Sequence, residues 1–117
     1  MNKSNPQITE LIDYLTAAAE ENHTALWRDL ARRLQRAHRH WAEVNVDKIA
    51  RHLNEGEIAL VPGKVLGDGP ARGIQVAAVG FSAQARQKIE QAGGTCYTIP
   101  ELVERHADGK NIRIIGG

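Results

Sequence analysis

Two short apolar runs in the second half of the chain constrain its fold most. "IALV" (58–61) and "IQVAAV" (74–79) are apolar and partly β-branched, as the buried strands of a sheet are. Between them lies "PGKVLGDGPARG" (62–73), which contains four glycines and two prolines. This composition predicts a loop, which could include a short strand at 65–66. The sequence therefore predicts two buried strands joined by a glycine-rich connection.

Helices are predicted on the N-terminal side of these strands. Apolar residues recur at helical spacing over 5–20, 25–36 and 46–54. Residues suited to cap these helices stand at their starts: Asn5, Thr24 and Asn45. Pro6 fits a first helical position, and Gly56 is placed to end the third helix.

Helices and strands alternate in the rest of the chain. Ser82 is placed to cap a helix over 83–92, and "TCYT" (95–98) predicts a short strand. Thr98 and Glu101 match the capping box of a helix over 99–106, and "IRII" (112–115) predicts a last strand. The predicted class is α/β: N-terminal helices followed by alternating short strands and helices. The 117 residues suit one domain, with a mainly helical part at 1–56 and an α/β part at 57–117.

Composition bounds the setting of the protein. Cys96 is the single cysteine, so no internal disulfide can form, which fits a reducing cytoplasm. The sequence contains no apolar stretch long enough to span a membrane, and "MNKSNPQ" lacks the apolar centre of a secretory signal. We therefore expect a soluble intracellular protein.

Basic residues are concentrated in one segment. Net charge is +1, but residues 28–52 carry seven Lys or Arg and three acids. Local density matters, because salt screens exposed charges beyond about 8–10 Å. Within this segment "RRLQRAHRHW" (32–41) has four arginines, two histidines and no acid. Arg28, Arg32 and Arg36 are spaced by four, with Arg33 beside them, so they are predicted to lie opposite the helix's apolar stripe and away from the core.

Nucleotide and metal sites find little support. In a P-loop the lysine ends the loop and enters a helix, whereas Lys64 directly follows Gly63 and no helix follows. The glycines at 67, 69 and 73 form GxGxxxG, one residue too long for the dinucleotide motif. His38 and His40 stand among arginines, which oppose a metal dication. We therefore expect no cofactor and no metal. Lys64 and Arg72 could instead be exposed cations on a turn that reach a phosphate backbone.

The basic segment favours a nucleic-acid surface. The chain has five aromatic residues, too few for base-stacking platforms, so arginine contacts to phosphate are the expected mode. His38 and His40 could donate to phosphate as well. Two alternatives stay open. One is a DNA-binding helix-turn-helix of the second and third helices, although their connection is about nine residues long and that motif uses three or four. The other is an enzyme that binds a phosphorylated ligand at the loop from Gly63 to Gly73.

Three segments carry a resemblance to a known family. They are "RRLQRAHRHWAEVNVDKIARHL", "LVPGKVLGDG" and "VAAVGFSAQARQKIEQAGG". Together they resemble the archaeal large-subunit ribosomal protein family L-eighteen-e, which is related to eukaryotic L-eighteen and to the C-terminal part of bacterial L-fifteen. The likeness extends from "SNPQITELI" to "IRII". Its markers are "AEVN" (42–45), "VPGKVLG" (61–67) and the apolar strand that enters "FSAQARQKI".

The resemblance implies a structural protein of the large ribosomal subunit that binds 23S-type rRNA in the cytoplasm. It implies neighbouring large-subunit proteins as partners, no catalysis, no membrane and no small-molecule substrate. It also implies a compact α/β part built of irregular strand–strand–helix units. Family rRNA contacts match Arg36, Arg39 and Asn45, then Lys64, and Lys3 matches a basic residue near the N-terminus.

The residues and the resemblance together give one predicted RNA-binding set: Lys3, Arg28, Arg32, Arg33, Arg36, His38, Arg39, His40, Asn45, Lys48, Lys64 and Arg72. His38, His40 and Trp41 stand where relatives carry more Arg or Lys, so they could contact RNA or neighbouring protein. The acidic residues of the first helix are expected to face solvent or another protein: Glu10, Asp13, Glu20 and Glu21.

Overall fold

The computed structural model of this protein describes residues 6–36 and 41–116. Its helices are α1 (Pro6–Asn22), α2 (Ala25–Arg36), α3 (Val46–His52), α4 (Ala83–Gln91) and α5 (Ile99–Arg105). Its strands are β1 (Ala42–Asn45), β2 (Ile58–Leu66), β3 (Gln75–Phe81), β4 (Thr95–Thr98) and β5 (Ile112–Ile114). The predicted α/β class is confirmed, and each predicted helix lies within two residues of its observed bounds.

The strands form one parallel sheet in the order β1-β2-β3-β4. β5 also pairs in parallel with β2, along residues 58–60, whereas β1 pairs along residues 63–66. β1 and β5 therefore lie end to end beside β2. Parallel neighbours need a connection that returns along the sheet. Helices α3, α4 and α5 provide three such returns, and the glycine-rich segment after β2 returns to β3 without a helix.

β2 is longer than predicted. The strand expected over 58–61 continues to Leu66, so the loop prediction was wrong at 62–64, and the short strand considered at 65–66 is the last part of β2. Opposite β3, Val61 pairs with Ala78 but Lys64 pairs with Gly80, so β2 carries one additional residue between them. Such a bulge accommodates Pro62, which has no N–H for the ladder.

β1 was not predicted. The sequence predicts a connection before α3 with Asn45 as a helix cap, but Ala42–Asn45 forms a strand in register with residues 63–66. Asn45 does precede α3, yet its side chain makes no capping bond there. Its Oδ1 instead accepts a hydrogen bond from the backbone N–H of Asp68 at 3.1 Å. The side chain thus joins the end of β1 to the loop after β2.

Two apolar cores cover the two faces of the sheet. The first core lies between the sheet and helices α1, α2 and α5, and the second lies between the sheet and helices α3 and α4. β2 contributes to both, since Ile58 and Leu60 join the first core while Ala59 and Val61 join the second. The result is a helix–sheet–helix arrangement of three layers. None of the described helices is long and apolar enough to cross a membrane.

Three predicted caps are confirmed. The hydroxyl oxygen of Thr24 accepts from the N–H of Leu26 at 3.3 Å, and that of Ser82 accepts from the N–H of Ala85 at 3.0 Å. Thr98 and Glu101 form the complete capping box at the start of α5. The starts of α2, α4 and α5 are therefore stabilised by local contacts that the sequence predicts.

Candidate nucleic-acid interface

Helix α2 separates its arginines from its apolar residues. Its inner face buries Trp27, Leu30, Ala31 and Leu34 in the first core. Arg28, Arg32 and Arg36 are exposed on the other side, as their spacing predicts, and Arg33 is exposed beside them. We call Arg28, Arg32 and Arg36 the arginine row. Since four residues advance a helix by about 6 Å, the row presents three guanidinium groups along about 12 Å of helix axis.

The arginine row keeps its charge available. Arg33 Nε donates to Asp29 Oδ2 at 3.3 Å, so Arg33 is partly neutralised by its own helix. Within residues 6–36 and 41–116, no member of the row forms an ion pair. Arg28 and Arg32 also line a shallow groove of about 450 Å³ at the start of the helix, together with Asp29, whose carboxylate is paired with Arg33. The row therefore offers cations and an adjoining recess to an anionic partner.

Lys64 lies on the same side of the sheet as α2. It is exposed in β2, and its neighbour Val65 is buried in the second core, so Lys64 points toward the side of the first core. Gly63, the residue before it, pairs with Ala42 of β1. Lys64 itself pairs with Glu43 of β1, an exposed carboxylate. Lys64 thus shares a side of the sheet with α2 and has an acidic neighbour there.

Lys48 and Arg72 are placed elsewhere. Lys48 Nζ donates to the carbonyl of Gly116 at 3.0 Å. Arg72 Nη2 donates to the carbonyls of Ala50 at 2.8 Å and Leu53 at 2.6 Å, at the end of α3. Both cations belong to the α3 side of the sheet, so the structure does not bring them together with the arginine row. Their contacts hold backbone carbonyls in place, and their role toward RNA stays a prediction.

Four predicted residues lie outside the described part of the chain: Lys3, His38, Arg39 and His40. Trp41 directly follows this gap and is half-buried. Its indole Nε1 is buried and has no hydrogen-bond partner among the described residues.

The glycines of the predicted loop serve close packing. A Cβ on Gly63 would lie 2.1 Å from the carbonyl oxygen of Ala42, and one on Gly67 would lie 2.9 Å from the backbone nitrogen of Ala85. Gly69 adopts a left-handed φ of +84°, and its carbonyl accepts from Lys88 Nζ at 2.9 Å. These contacts explain the glycine pattern without a phosphate ligand.

The helix-turn-helix alternative does not match the structure, and the described residues show neither a metal cluster nor an activated thiol. β1 lies between α2 and α3 and pairs in the sheet, so these helices are not joined by the tight turn of a helix-turn-helix. Across residues 6–36 and 41–116, no three His, Cys, Asp or Glu side chains are grouped so that they could hold a metal ion. Cys96 is half-buried at the second core, and burial raises the pKa of its thiol, the opposite of what a nucleophile needs.

Comparison with known proteins identifies the family. A family model described as "Ribosomal protein 60S L18 and 50S L18e" matches residues 4–117. The large ribosomal subunit protein eL18 of Methanothermobacter thermautotrophicus is 47% identical over 116 residues, which cover 98% of this chain and 96% of the relative. The proteins of the same name from Methanopyrus kandleri and Archaeoglobus fulgidus are 50% identical over 118 residues and 41% identical over 116. These alignments cover 96% and 98% of this chain and 93% and 99% of the respective relatives. The chain therefore belongs to the ribosomal protein family of 60S L18 and 50S L18e.

Proposed function

We propose that this chain binds 23S-type rRNA through the arginine row of α2. As a member of its family, it is a structural constituent of the large ribosomal subunit in the cytoplasm and not an enzyme. It assembles there with rRNA and other ribosomal proteins. The observation that carries the proposal is the row itself: three exposed guanidinium groups without carboxylate partners in the described chain, on the outer side of a helix whose inner side is fully packed.

The chemistry of the arginine row favours RNA phosphates. Guanidinium groups match phosphate oxygens with two parallel hydrogen bonds, and folded RNA is recognised mainly through its backbone and shape. Lys64, on the same side of the sheet as α2, is proposed to add a further cation to this surface. Arg39, His38 and His40 are proposed to complete it, because they follow Arg36 directly in the sequence. The proposed set also includes residues outside the arginine row: Lys3, Arg33, Asn45, Lys48 and Arg72.

The proposal treats residues 1–117 as one domain. The first core supports this, because it joins N-terminal helices to the strands of the second half: Trp27 and Leu34 of α2 pack in it with Leu60 of β2. A rigid link of this kind would hold the arginine row in a fixed position relative to Lys64.

Removal of a single row member is expected to weaken RNA binding. Arg32→Ala should lower the affinity for a large-subunit rRNA fragment about five-fold at low salt, because one phosphate contact is lost. The slope of log K against log salt should become shallower by about 0.7–0.9. Filter binding over a series of salt concentrations measures both quantities.

Arg51→Ala provides the matched control. Arg51 is also an exposed helical arginine, but it belongs to α3 on the other side of the sheet. The Arg51→Ala variant loses the same charge as Arg32→Ala and should keep its affinity within about two-fold of the original chain's. Equal losses in the two variants would argue against a localised interface on α2.

A further inference from the structure

Helices α1 and α5 enclose a trough that the RNA-binding proposal does not use. Its upper part, of about 270 Å³, is lined by Tyr14, Ala17 and Glu21 of α1 and by Val103 and Glu104 of α5. Its lower part, of about 450 Å³, continues past Glu104 to His106 and Asp108. The two parts share the residues Asn22, Glu104 and Ala107, so they form one continuous trough.

The trough is acidic along its length. Glu21, Glu104 and Asp108 line it and are exposed. α1 has four carboxylates and no Lys or Arg. Arg105 also lines the lower part, where its guanidinium lies over the ring of Tyr97, 5.8 Å from the centroid, but the three carboxylates outnumber this one arginine. An anionic polymer such as RNA would be repelled by this surface.

Tyr14 adds an apolar and aromatic contact to the trough. Of the large apolar side chains in the described part of the chain, it is the exposed one, with 37% of its surface accessible. Burial, followed by the charges of Glu104 and Glu21, raises the pKa of its hydroxyl. An aromatic ring beside carboxylates suits the side chain of Arg or Lys, because the cation can lie on the ring while its stem covers apolar surface.

We propose that the trough between α1 and α5 docks a lysine- and arginine-rich segment of another polypeptide. The carboxylates are spread along the trough, and the described residues do not group three of them around one point. They therefore suit a series of side-chain cations better than a single metal ion. Asn22 fits the same occupant: its Nδ2 donates to the carbonyl of Ala18 at 2.9 Å, which leaves its amide oxygen as an acceptor beside the trough.

The proposal assigns two faces to the protein. α2 and α1 are packed together, yet one carries the arginine row and the other carries carboxylates. RNA would meet the first face and a basic protein segment the second. This inference goes beyond rRNA binding, and the two can fail independently.

The test uses the full chain and a labelled oligolysine peptide, with binding followed by fluorescence anisotropy at low salt. The double variant Glu21→Gln with Glu104→Gln should weaken peptide binding about ten-fold, since two carboxylates of the trough are neutralised. Glu55→Gln with Asp68→Gln is the control, because it removes the same charge from exposed positions outside the trough and should change binding less than about two-fold. Both variants should bind an rRNA fragment as the original chain does.

Equal weakening of peptide binding by the two double variants would overturn the proposal, because it would show attraction by net charge alone. Binding of a labelled oligoglutamate peptide as tightly as oligolysine would overturn it as well. A second measurement does not depend on variants. Addition of oligolysine should shift the amide NMR signals of Tyr14, Ala17 and Val103 while those of α3 stay unchanged, and shifts confined to other regions would contradict the proposed place of docking.

Discussion

Gly63→Ala is expected to destabilise the fold by about 2–4 kcal/mol. The added methyl group would lie 2.1 Å from the carbonyl oxygen of Ala42 and 2.9 Å from its backbone nitrogen. Backbone atoms, unlike the end of a flexible side chain, cannot turn aside, so β1 would have to move away from β2. The loss should be measured as the free energy of unfolding in urea, and the N–H groups of Ala42–Asn45 should exchange faster with solvent.

Gly80→Ala is the matched control for this variant. Gly80 also lies in the sheet, in β3, but a Cβ there would meet no atom within 4 Å. The substitution should change stability by less than about 1 kcal/mol and could raise it, because alanine restricts the unfolded chain. Similar losses at Gly63 and Gly80 would show that the close approach of β1 does not determine the requirement for glycine.

Reversal of the arginine row should have the largest effect on RNA binding. The triple variant Arg28→Glu, Arg32→Glu and Arg36→Glu is expected to lower the affinity for a large-subunit rRNA fragment by about 100-fold at low salt. The slope of log K against log salt should become shallower by about two to three, because three phosphate contacts are lost. Stability should change little, because all three side chains are exposed. Circular dichroism checks the fold, and filter binding measures the affinity.

A second triple variant separates position from charge. Arg51→Glu, Arg86→Glu and Lys110→Glu change the net charge by the same amount at exposed positions outside the predicted RNA-binding set. This variant should lose less than about five-fold in affinity at low salt, and the loss should vanish as salt screens the distant charges. A loss equal to that of the first variant would mean that RNA responds to the overall charge of the protein, and the interface on α2 would be wrong.

Local patterns predicted most of the elements. The spacing of Trp27, Leu30 and Leu34 was enough to place α2 and to orient its arginines, because a surface helix is amphipathic about its own axis. The caps at Ser82 and Thr98 were equally local, since donor and acceptor are three residues apart. Such features depend on neighbours in sequence, so they can be predicted from one chain alone.

The edge of the sheet could not be predicted in this way. β1 is four residues long and is stabilised by pairing with residues 63–66, so its own sequence carries a weak signal. Pro62 and Gly63 are ordinary markers of a loop, yet here they occupy a bulge inside β2. The signal that distinguishes the two cases is the partner strand, which lies some twenty residues away in sequence.

The candidate site was also predicted only in part, because some of its residues make contacts that are distant in sequence. The arginine row followed from helical spacing, and its exposure is confirmed. Sequence alone did not distinguish Lys48 and Arg72 from the arginine row, because their partners are distant in sequence. Lys48 donates to a carbonyl 68 residues away, and Arg72 donates to carbonyls 22 and 19 residues away. The side chain of Asn45 likewise accepts a hydrogen bond from the backbone N–H of Asp68, 23 residues later. A sequence does not distinguish a cation that is bonded to a distant backbone carbonyl from a cation that is available to bind phosphate.

Sedimentation with ribosomes tests the central claim most directly. A tagged copy of the chain, expressed in an archaeon, should migrate with the large subunit in a sucrose gradient and stay there through a high-salt wash. The variant with the reversed arginine row should be depleted from the large subunit or released by the wash, while the Arg51, Arg86 and Lys110 variant should be retained. A chain that migrates as free protein, or a reversed row that leaves retention unchanged, would contradict the account.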